Sequence, residues 1–254
     1  MNVKMEPLLR GKTAIITGSQ GGIGRAILQV FAEHGAHIYA CVHRDNEEFF
    51  RWIGELSNRT GQGIQPIIFD LTDSTAIKVG LQRIYADKRP IDILVNNAGV
   101  AQGSLLQMTS ITEMKNIFDV NFFAQISLIQ SVSRHMQRHG SGSIINITSM
   151  AGIFSEPGAL AYGCSKAALN HATRIIAMEL ASSRVRVNAI APNITHTNML
   201  DQMDSKVLEQ TVARTAMKRA AQPEEIARVA LFLASDLSSY MTGQIVRADG
   251  GQIY

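Results

Sequence analysis

Tyr162 and Lys166 stand four residues apart in Ala161-Tyr162-Gly163-Cys164-Ser165-Lys166, and the following Ala167-Ala168-Leu169 favours helix. Positions i and i+4 share a helix face, so the spacing sets the lysine ammonium beside the phenol. A free tyrosine titrates at about pH 10. A neighbouring cation favours the phenolate and would bring the phenol into range as an acid or base near neutrality. Both residue types are common, and a surface tyrosine lying along a surface lysine has the same spacing, so the pair needs support from elsewhere. Two further polar residues supply candidates. Ser149 follows the apolar run Ser143–Thr148 and precedes Tyr162 by 13 residues; Thr148 competes for its role. Asn121 interrupts the apolar run Ile117–Phe123, 28 residues before Ser149. A buried amide without partners is costly, so Asn121 is expected to be engaged.

The elements that must position these residues alternate along the chain. Lys12–Thr17 reads as a strand and runs into Thr17-Gly18-Ser19-Gln20-Gly21-Gly22-Ile23-Gly24, which opens a helical pattern over Arg25–His34. In that context Gly18 permits a tight turn, Gly22 lets backbone approach a pyrophosphate, and Gly24 lets the helix pack closely. The helix N-terminus would offer free N–H groups to phosphates. A second strand, Ala36–Val42, ends in His43-Arg44-Asp45. An acidic residue at this point suits a ribose 2′-hydroxyl, whereas an arginine suits a 2′-phosphate. A helix over Asn46–Thr60 and a strand over Ile64–Phe69 lead to Asp70-Leu71-Thr72-Asp73, with Asp73 as a helix cap. The fourth strand, Ile91–Val95, ends in Asn96-Asn97-Ala98-Gly99. Ser110–Gly140 reads as one long helical region, Ser143–Thr148 as the fifth strand and Arg184–Ala191 as the sixth, followed by Pro192-Asn193-Ile194-Thr195-His196-Thr197. A helix starts at Pro223, and a seventh strand lies within Thr242–Gly251. This alternation predicts an α/β fold, a doubly wound parallel sheet of seven strands with helices on both faces, in one domain over residues 1–254.

Composition sets outer bounds. With 46% hydrophobic and 18% charged residues the chain can bury a sizeable core. A net charge of +3 without a Lys/Arg run gives no reason to expect nucleic acid or a membrane surface as partner. Cys41 and Cys164 have no metal-ligand spacing, no metal site is expected, and both read as packing residues. The N-terminal residues lack an apolar signal core and no stretch reaches transmembrane length, so a soluble cytoplasmic protein is the expectation.

The T-G-x-x-x-G-x-G turn of Thr17–Gly24, the tetrapeptide Asn96-Asn97-Ala98-Gly99, the Asn121, Ser149, Tyr162 and Lys166 spacing and the T-G-x-x-x-x-x-D-G-G ending of Thr242–Gly251 resemble the short-chain dehydrogenase/reductase family. The likeness runs from Arg10 to Tyr254 and is nearest to single-domain 3-oxoacyl-carrier-protein-reductase-type ketoreductases. It implies a Rossmann-type fold and hydride transfer between a nicotinamide and a carbonyl or secondary alcohol. Tyr162 would be the acid, Lys166 its tuner, Ser149 the carbonyl's hydrogen-bond partner and Asn121 the holder of a water that touches Lys166. The resemblance implies that Gly18, Ser19, Gln20, Gly22, Ile23 and Gly24 hold the cofactor phosphates. Asp70 and Leu71 would contact adenine; Asn97, Ala98 and Gly99 would make room for the ribose, with Tyr162 and Lys166 also contacting the cofactor. Pro192, Ile194 and Thr197 would border the nicotinamide, Ile194 through its backbone.

Val42 takes the place of the family's NAD-selecting aspartate, with His43 and Arg44 next to it, so NADP(H) is favoured over NAD(H); Gly21, where many NADP-dependent relatives carry a basic residue, and Asp45, which could reach the ribose, speak against it. Asn193 replaces a common glycine, and because asparagine tolerates positive φ the turn is expected to survive. Val100–Leu106, Met150–Leu160 and Asn193–Met203 should line the substrate pocket, with a lid over about 193–218. The substrate would be a small carbonyl or alcohol, free or carrier-bound, and the family implies a homo-oligomer, tetramer or dimer. The alternatives are an NAD(H)-dependent dehydrogenase of a sugar or other small alcohol, and a nucleotide-sensing protein without turnover. A sugar-nucleotide epimerase or dehydratase would need a longer chain.

Overall fold

The computed structural model describes residues 7–197 and 205–252. Strand β1 (Thr13–Thr17) is buried along its whole length, as a parallel strand covered on both faces must be. Its side chains divide by alternation. Ala14 and Ile16 enter one core with α1 (Gly22–Glu33), α2 (Glu47–Thr60) and α8 (Pro223–Ala234), through residues such as Phe31, Ile53 and Leu231. Ile15 enters the other with α3 (Ser74–Ala86), α5 (Ala124–His139) and α6 (Leu160–Leu180), through Leu81, Val132 and Leu180.

The remaining strands are β2 (His37–Val42), β3 (Ile64–Ile68), β4 (Ile93–Asn96), β5 (Gly142–Ile147), β6 (Val185–Pro192) and β7 (Ile245–Ala248). They form one seven-stranded parallel sheet in the order β3-β2-β1-β4-β5-β6-β7. The order reverses between β1 and β4, which pair with Ile15 opposite Leu94. At such a reversal the loops leave in opposite directions and open a crevice at the strands' carboxyl ends. The glycine turn and the Asn96–Gly99 segment both lie there. The expected fold class is therefore what the chain adopts.

Helix starts follow local chemistry. Asn46, Asp73 and Ser110 cap α2, α3 and α4 (Ile111–Phe118) with their side chains. Gln222 and Glu225 form a capping box for α8 around Pro223. α1 is different: Gly21 brings no side-chain cap and no acidic residue occupies its first turn. The region read as one helix over Ser110–Gly140 has an interruption, because Asp119–Phe123 forms a π turn between α4 and α5. Of the expected lid, residues 198–204 lie outside the described residues, and α7 (Ser205–Ala213) follows.

Gly24 fits more tightly than the sequence suggests. A Cβ there would collide with the Gly18 carbonyl and the Asn97 amide, so the glycine packs against the turn and the neighbouring loop as much as against a strand. Replacing Gly24 by Ala is expected to lower stability by about 1–3 kcal/mol through overpacking. An unaltered thermal unfolding midpoint in that variant would mean that the contact is not as close as described.

Candidate active site

The crevice is held together at its floor by hydrogen bonds between the loops that follow β1 and β4. The Thr17 hydroxyl accepts from the Asn97 N–H at 2.9 Å and the Ala98 N–H at 3.0 Å. Asn97 returns its side-chain amide to the Thr17 and Gly18 carbonyls at 3.0 and 3.2 Å. Asn96 behaves differently from Asn97, bonding the Asn146 side chain at 2.9 Å instead of backbone. Gly18 has φ +64°, which the turn requires and a side chain would resist. The uncapped start of α1 leaves amide hydrogens directed into the crevice, a fit for a cofactor's phosphates. Ser19 is fully buried and donates its hydroxyl inward to the Ile16 carbonyl at 2.7 Å, so its side chain is not presented to the groove. Ile23 packs against the core.

On the other side of the crevice α6 carries Tyr162 and Lys166. Lys166 is buried, donates to the Ile147 carbonyl at 3.0 Å and sits 5.8 Å from the Tyr162 ring centre. Burial pushes its pKa down to about 8. Tyr162 departs from expectation: burial pushes its phenol up, with only a hydrogen bond to Ser149 opposing. The helix sets Nζ beside the ring, and in the free chain desolvation wins over any cationic help. Ser149 accepts from the Ala151 N–H at 3.1 Å, which fixes its hydroxyl at the end of β5. Thr148, the other candidate for that role, is buried and donates its hydroxyl to the Ile190 carbonyl at 3.0 Å.

Asn121 sits in the π turn, fully buried. It clamps Val100 from both sides, accepting from its N–H and donating to its carbonyl, each at 2.8 Å. It also donates to the Ser165 hydroxyl at 3.0 Å, which in turn donates to the Tyr162 carbonyl at 2.7 Å. A Cβ on Gly99 would lie 3.1 Å from Asn121 Oδ1 and 3.2 Å from Lys166 Nζ. The glycine is what lets the loop close over both. The engagement expected of the buried amide is thus met, through partners that the sequence did not single out.

At the adenosine end, His43 Nε2 lies 3.1 Å from Asp70 Oδ2. Asp70 also accepts from the Thr72 N–H at 2.8 Å, which is the main reason its carboxyl is held below the usual range. The Gln20 side chain donates to the Arg44 carbonyl at 2.9 Å, and the Arg44 side chain is exposed. Leu71 packs on the edge of the core.

Beyond β6, which ends at Pro192, the Thr197 side chain fills the space that a Cβ on Gly22 would need. Ile194 gives its carbonyl to the Ala221 N–H at 3.0 Å. Asn193 corrects an expectation, because its φ is not positive: among described residues only Lys88, Arg184 and Lys218 are non-glycine residues of that kind. The position makes no demand on glycine, and Asn193 instead joins β7, its N–H donating to Ala248 at 3.2 Å.

A cavity of about 570 Å³ opens between residues 104–107, the 151–160 loop and the outer face of α6. Its lining overlaps the expected pocket segments 100–106 and 150–160 but includes none of residues 193–197. Cys164 lines it and is exposed, which corrects its reading as a packing residue. Two residues along a helix is a rotation of about 200°, so it faces away from Tyr162. Cys41 is buried as expected. Among the described residues no His, Cys, Asp or Glu group could hold a metal ion, and no helix is long and apolar enough to cross a membrane.

The sequence reading missed Ser165, Gln125 and Asn146. Gln125 donates to the Ala98 carbonyl at 2.9 Å, and Asn146 donates to Thr173 at 2.9 Å. Their one sequence signal is polarity inside an apolar run.

A lysine depressed from 10.5 to about 8 carries a penalty of roughly 3 kcal/mol for being charged in the fold. The unfolded chain binds more protons between those values, so the penalty is complete below pH 8 and is relieved as pH rises through the window. Lys166→Met, which leaves the Ile147 carbonyl unpaired, is therefore expected to raise the unfolding midpoint at pH 7 by a few degrees. The gain should shrink above pH 8. A midpoint that falls at pH 7 would contradict the penalty.

The geometry agrees with known relatives. The family model described as enoyl-(acyl carrier protein) reductase matches residues 18–252. The chain is 36% identical over 246 residues to 3-oxoacyl-[acyl-carrier-protein] reductase FabG of Thermotoga maritima, covering 96% of this chain and 99% of that one. A crystal structure of 3-oxoacyl-[acyl-carrier protein] reductase from Brucella melitensis superposes with TM-score 0.91 at 32% identity, covering 99% of this chain and 95% of that one. A putative NAD(P)-dependent gluconate 5-dehydrogenase from Beutenbergia cavernae, solved with bound NADP, gives 0.87 at 34%, covering 96% and 98%. With the switch-point crevice and the Tyr162–Lys166 helix in place, the chain belongs to the short-chain dehydrogenase/reductase family and is an NAD(P)-dependent oxidoreductase.

Proposed function

We propose that the chain is an NADPH-preferring reductase of 3-oxoacyl-type carbonyls, free or attached to a carrier. One observation carries this reading: Tyr162, Ser149, Lys166 and Asn121 converge at the sheet's carboxyl end. The likeness to two 3-oxoacyl-[acyl-carrier-protein] reductases supports the acyl substrate. The residues at the crevice fit a nicotinamide dinucleotide: Gly18, Gly22, Gly24 and the first amides of α1 at the phosphates, Asp70 and Leu71 at the adenine, Asn97 to Gly99 at the ribose, and Pro192, Ile194 and Thr197 at the nicotinamide. His43 and Arg44 support the preference for a 2′-phosphate.

When bound, the reduced nicotinamide supplies hydride to the carbonyl carbon. Tyr162 donates its proton to the carbonyl oxygen, and the raised phenol pKa keeps that proton in place at neutral pH. Ser149 has its oxygen fixed by the Ala151 N–H and directs its own hydrogen at the same carbonyl oxygen. Lys166, anchored on the Ile147 carbonyl, keeps a positive charge beside the phenol as the proton leaves. Asn121 holds the π turn through which a water returns protons to Lys166. Copies of the chain associate through exposed apolar side chains on α6, of which Met178 is 83% exposed and Ile175 46%.

The second reading is a dehydrogenase of a sugar or other small alcohol, favoured by the likeness to the gluconate 5-dehydrogenase structure. A screen of NADPH and NADH oxidation over 3-oxoacyl thioesters, ketones and keto-sugars separates the two. Turnover confined to keto-sugars would overturn the first. Tyr162→Phe should abolish turnover while cofactor binding, followed by fluorescence, persists; substantial residual turnover would remove Tyr162 from its role. Because Lys166 must stay charged, reductive kcat/KM should hold from pH 6 to 7.5 and fall above about pH 8. A profile still rising at pH 9 would be incompatible with that requirement.

A further inference from the structure

We propose that Asp70 sets the preference for a 2′-phosphate indirectly, as a positioning residue that orients His43. The inference rests on the NADP(H) reading of the site. β2 ends at Val42, which is buried and puts no carboxylate at the strand end itself; Asp45 is exposed three residues on. The first side chains beyond it are His43 and Arg44, both exposed.

Asp70 has both oxygens committed. Oδ1 accepts from the Thr72 N–H at 2.8 Å, which locks the carboxylate to its own loop, and Oδ2 lies 3.1 Å from His43 Nε2. The two ring nitrogens of a histidine are distinct, and the partner of one determines what the other offers. With Nε2 held on Asp70, Nδ1 is the atom left to meet an incoming group. A ring that carries a proton on each nitrogen donates one to the carboxylate and the other to a phosphate. Arg44 adds its guanidinium alongside, and the Gln20 bond to its carbonyl ties this loop to the phosphate-binding turn. A carboxylate near a 2′-phosphate would by itself repel it. Acting through the imidazole, Asp70 does the reverse. An unphosphorylated ribose has no comparable use for the arrangement, so the effect belongs to NADPH and not to NADH.

The test is a double-mutant cycle read by binding. Dissociation constants for NADPH and NADH are measured at pH 7 for the native chain, Asp70→Asn, His43→Gln and the double variant. Asparagine keeps an acceptor for the Thr72 N–H, and an unaltered thermal unfolding midpoint reports an intact fold. Asp70→Asn is expected to weaken NADPH roughly tenfold more than NADH, the scale of coupling between groups in contact. In the His43→Gln background that difference should vanish. Equal weakening of both cofactors would reduce Asp70 to an adenine contact and overturn the proposal, as would tighter NADPH binding or a persistent difference without His43. A native chain that binds NADH more tightly than NADPH would overturn the NADP(H) reading itself. A native preference for NADPH without coupling would overturn this inference alone.

Discussion

An ammonium group withdrawn from water has to find its hydrogen bonds inside the protein, and among the described residues Lys166 has one such acceptor, the Ile147 carbonyl. That carbonyl belongs to the last residue of β5, one residue beyond the final pairing with β4. The lysine reaches it from α6, which packs against the neighbouring strand β6. Fixing Nζ there holds it 5.8 Å from the centre of the Tyr162 ring, one helical turn earlier. The loop at Gly99 passes so close to Nζ and the Asn121 amide that a Cβ there would lie 3.1 Å from Asn121 Oδ1 and 3.2 Å from Nζ, and both would have to give way. The geometry of the site is thus the geometry needed to bury one charge, and the fold carries that cost for the sake of chemistry.

Around this point the polar groups form two connected sets. One joins Thr17, Asn97, Ala98 and Gln125, holding the β1 and β4 loops together below the dinucleotide crevice. The other runs from Val100 through Asn121 and Ser165 to the backbone of Tyr162, linking the β4 loop, the π turn and α6. A buried network of this kind rigidifies when its members are satisfied. Because both sets meet at residues 97–100, cofactor and substrate sides of the crevice share a single support.

Much of this architecture could be read from the chain itself. Glycines after an apolar run, Asn96–Gly99 after another and Ser149 after a third all fall at strand carboxyl ends, because parallel strands place their ligand-binding loops there. The illegible parts depend on rotation and packing. Cys164 reads as a packing residue yet faces outward, because helical phase against neighbours that the sequence does not display decides its exposure. The Tyr162 pKa could not be inferred from the i+4 rule, since desolvation depends on what packs around the ring. Asn193 was assumed to inherit a left-handed backbone from the glycine it replaces, whereas its hydrogen bond to β7 holds an ordinary conformation. Periodicity also joined Ser110 to Gly140 in one helix, because a single widened turn barely disturbs a hydrophobic pattern.

That widened turn works as a phase shifter. A π segment holds one residue more than an α-helical turn spanning the same rise, so α5 emerges rotated by about 100° from the course α4 would have continued. The rotation lets α4 and α5 each present the correct side to its neighbours while Asn121, between them, looks inward at Val100. Deleting one residue from 119–123 would give a more regular helix and a less useful one. Either Asn121 would swing off Val100 and Ser165, or Leu128, Val132 and Met136 would rotate out of the core that they now fill. The irregularity is therefore the joint at which two incompatible registers, one for packing and one for the site, are reconciled along a single rod.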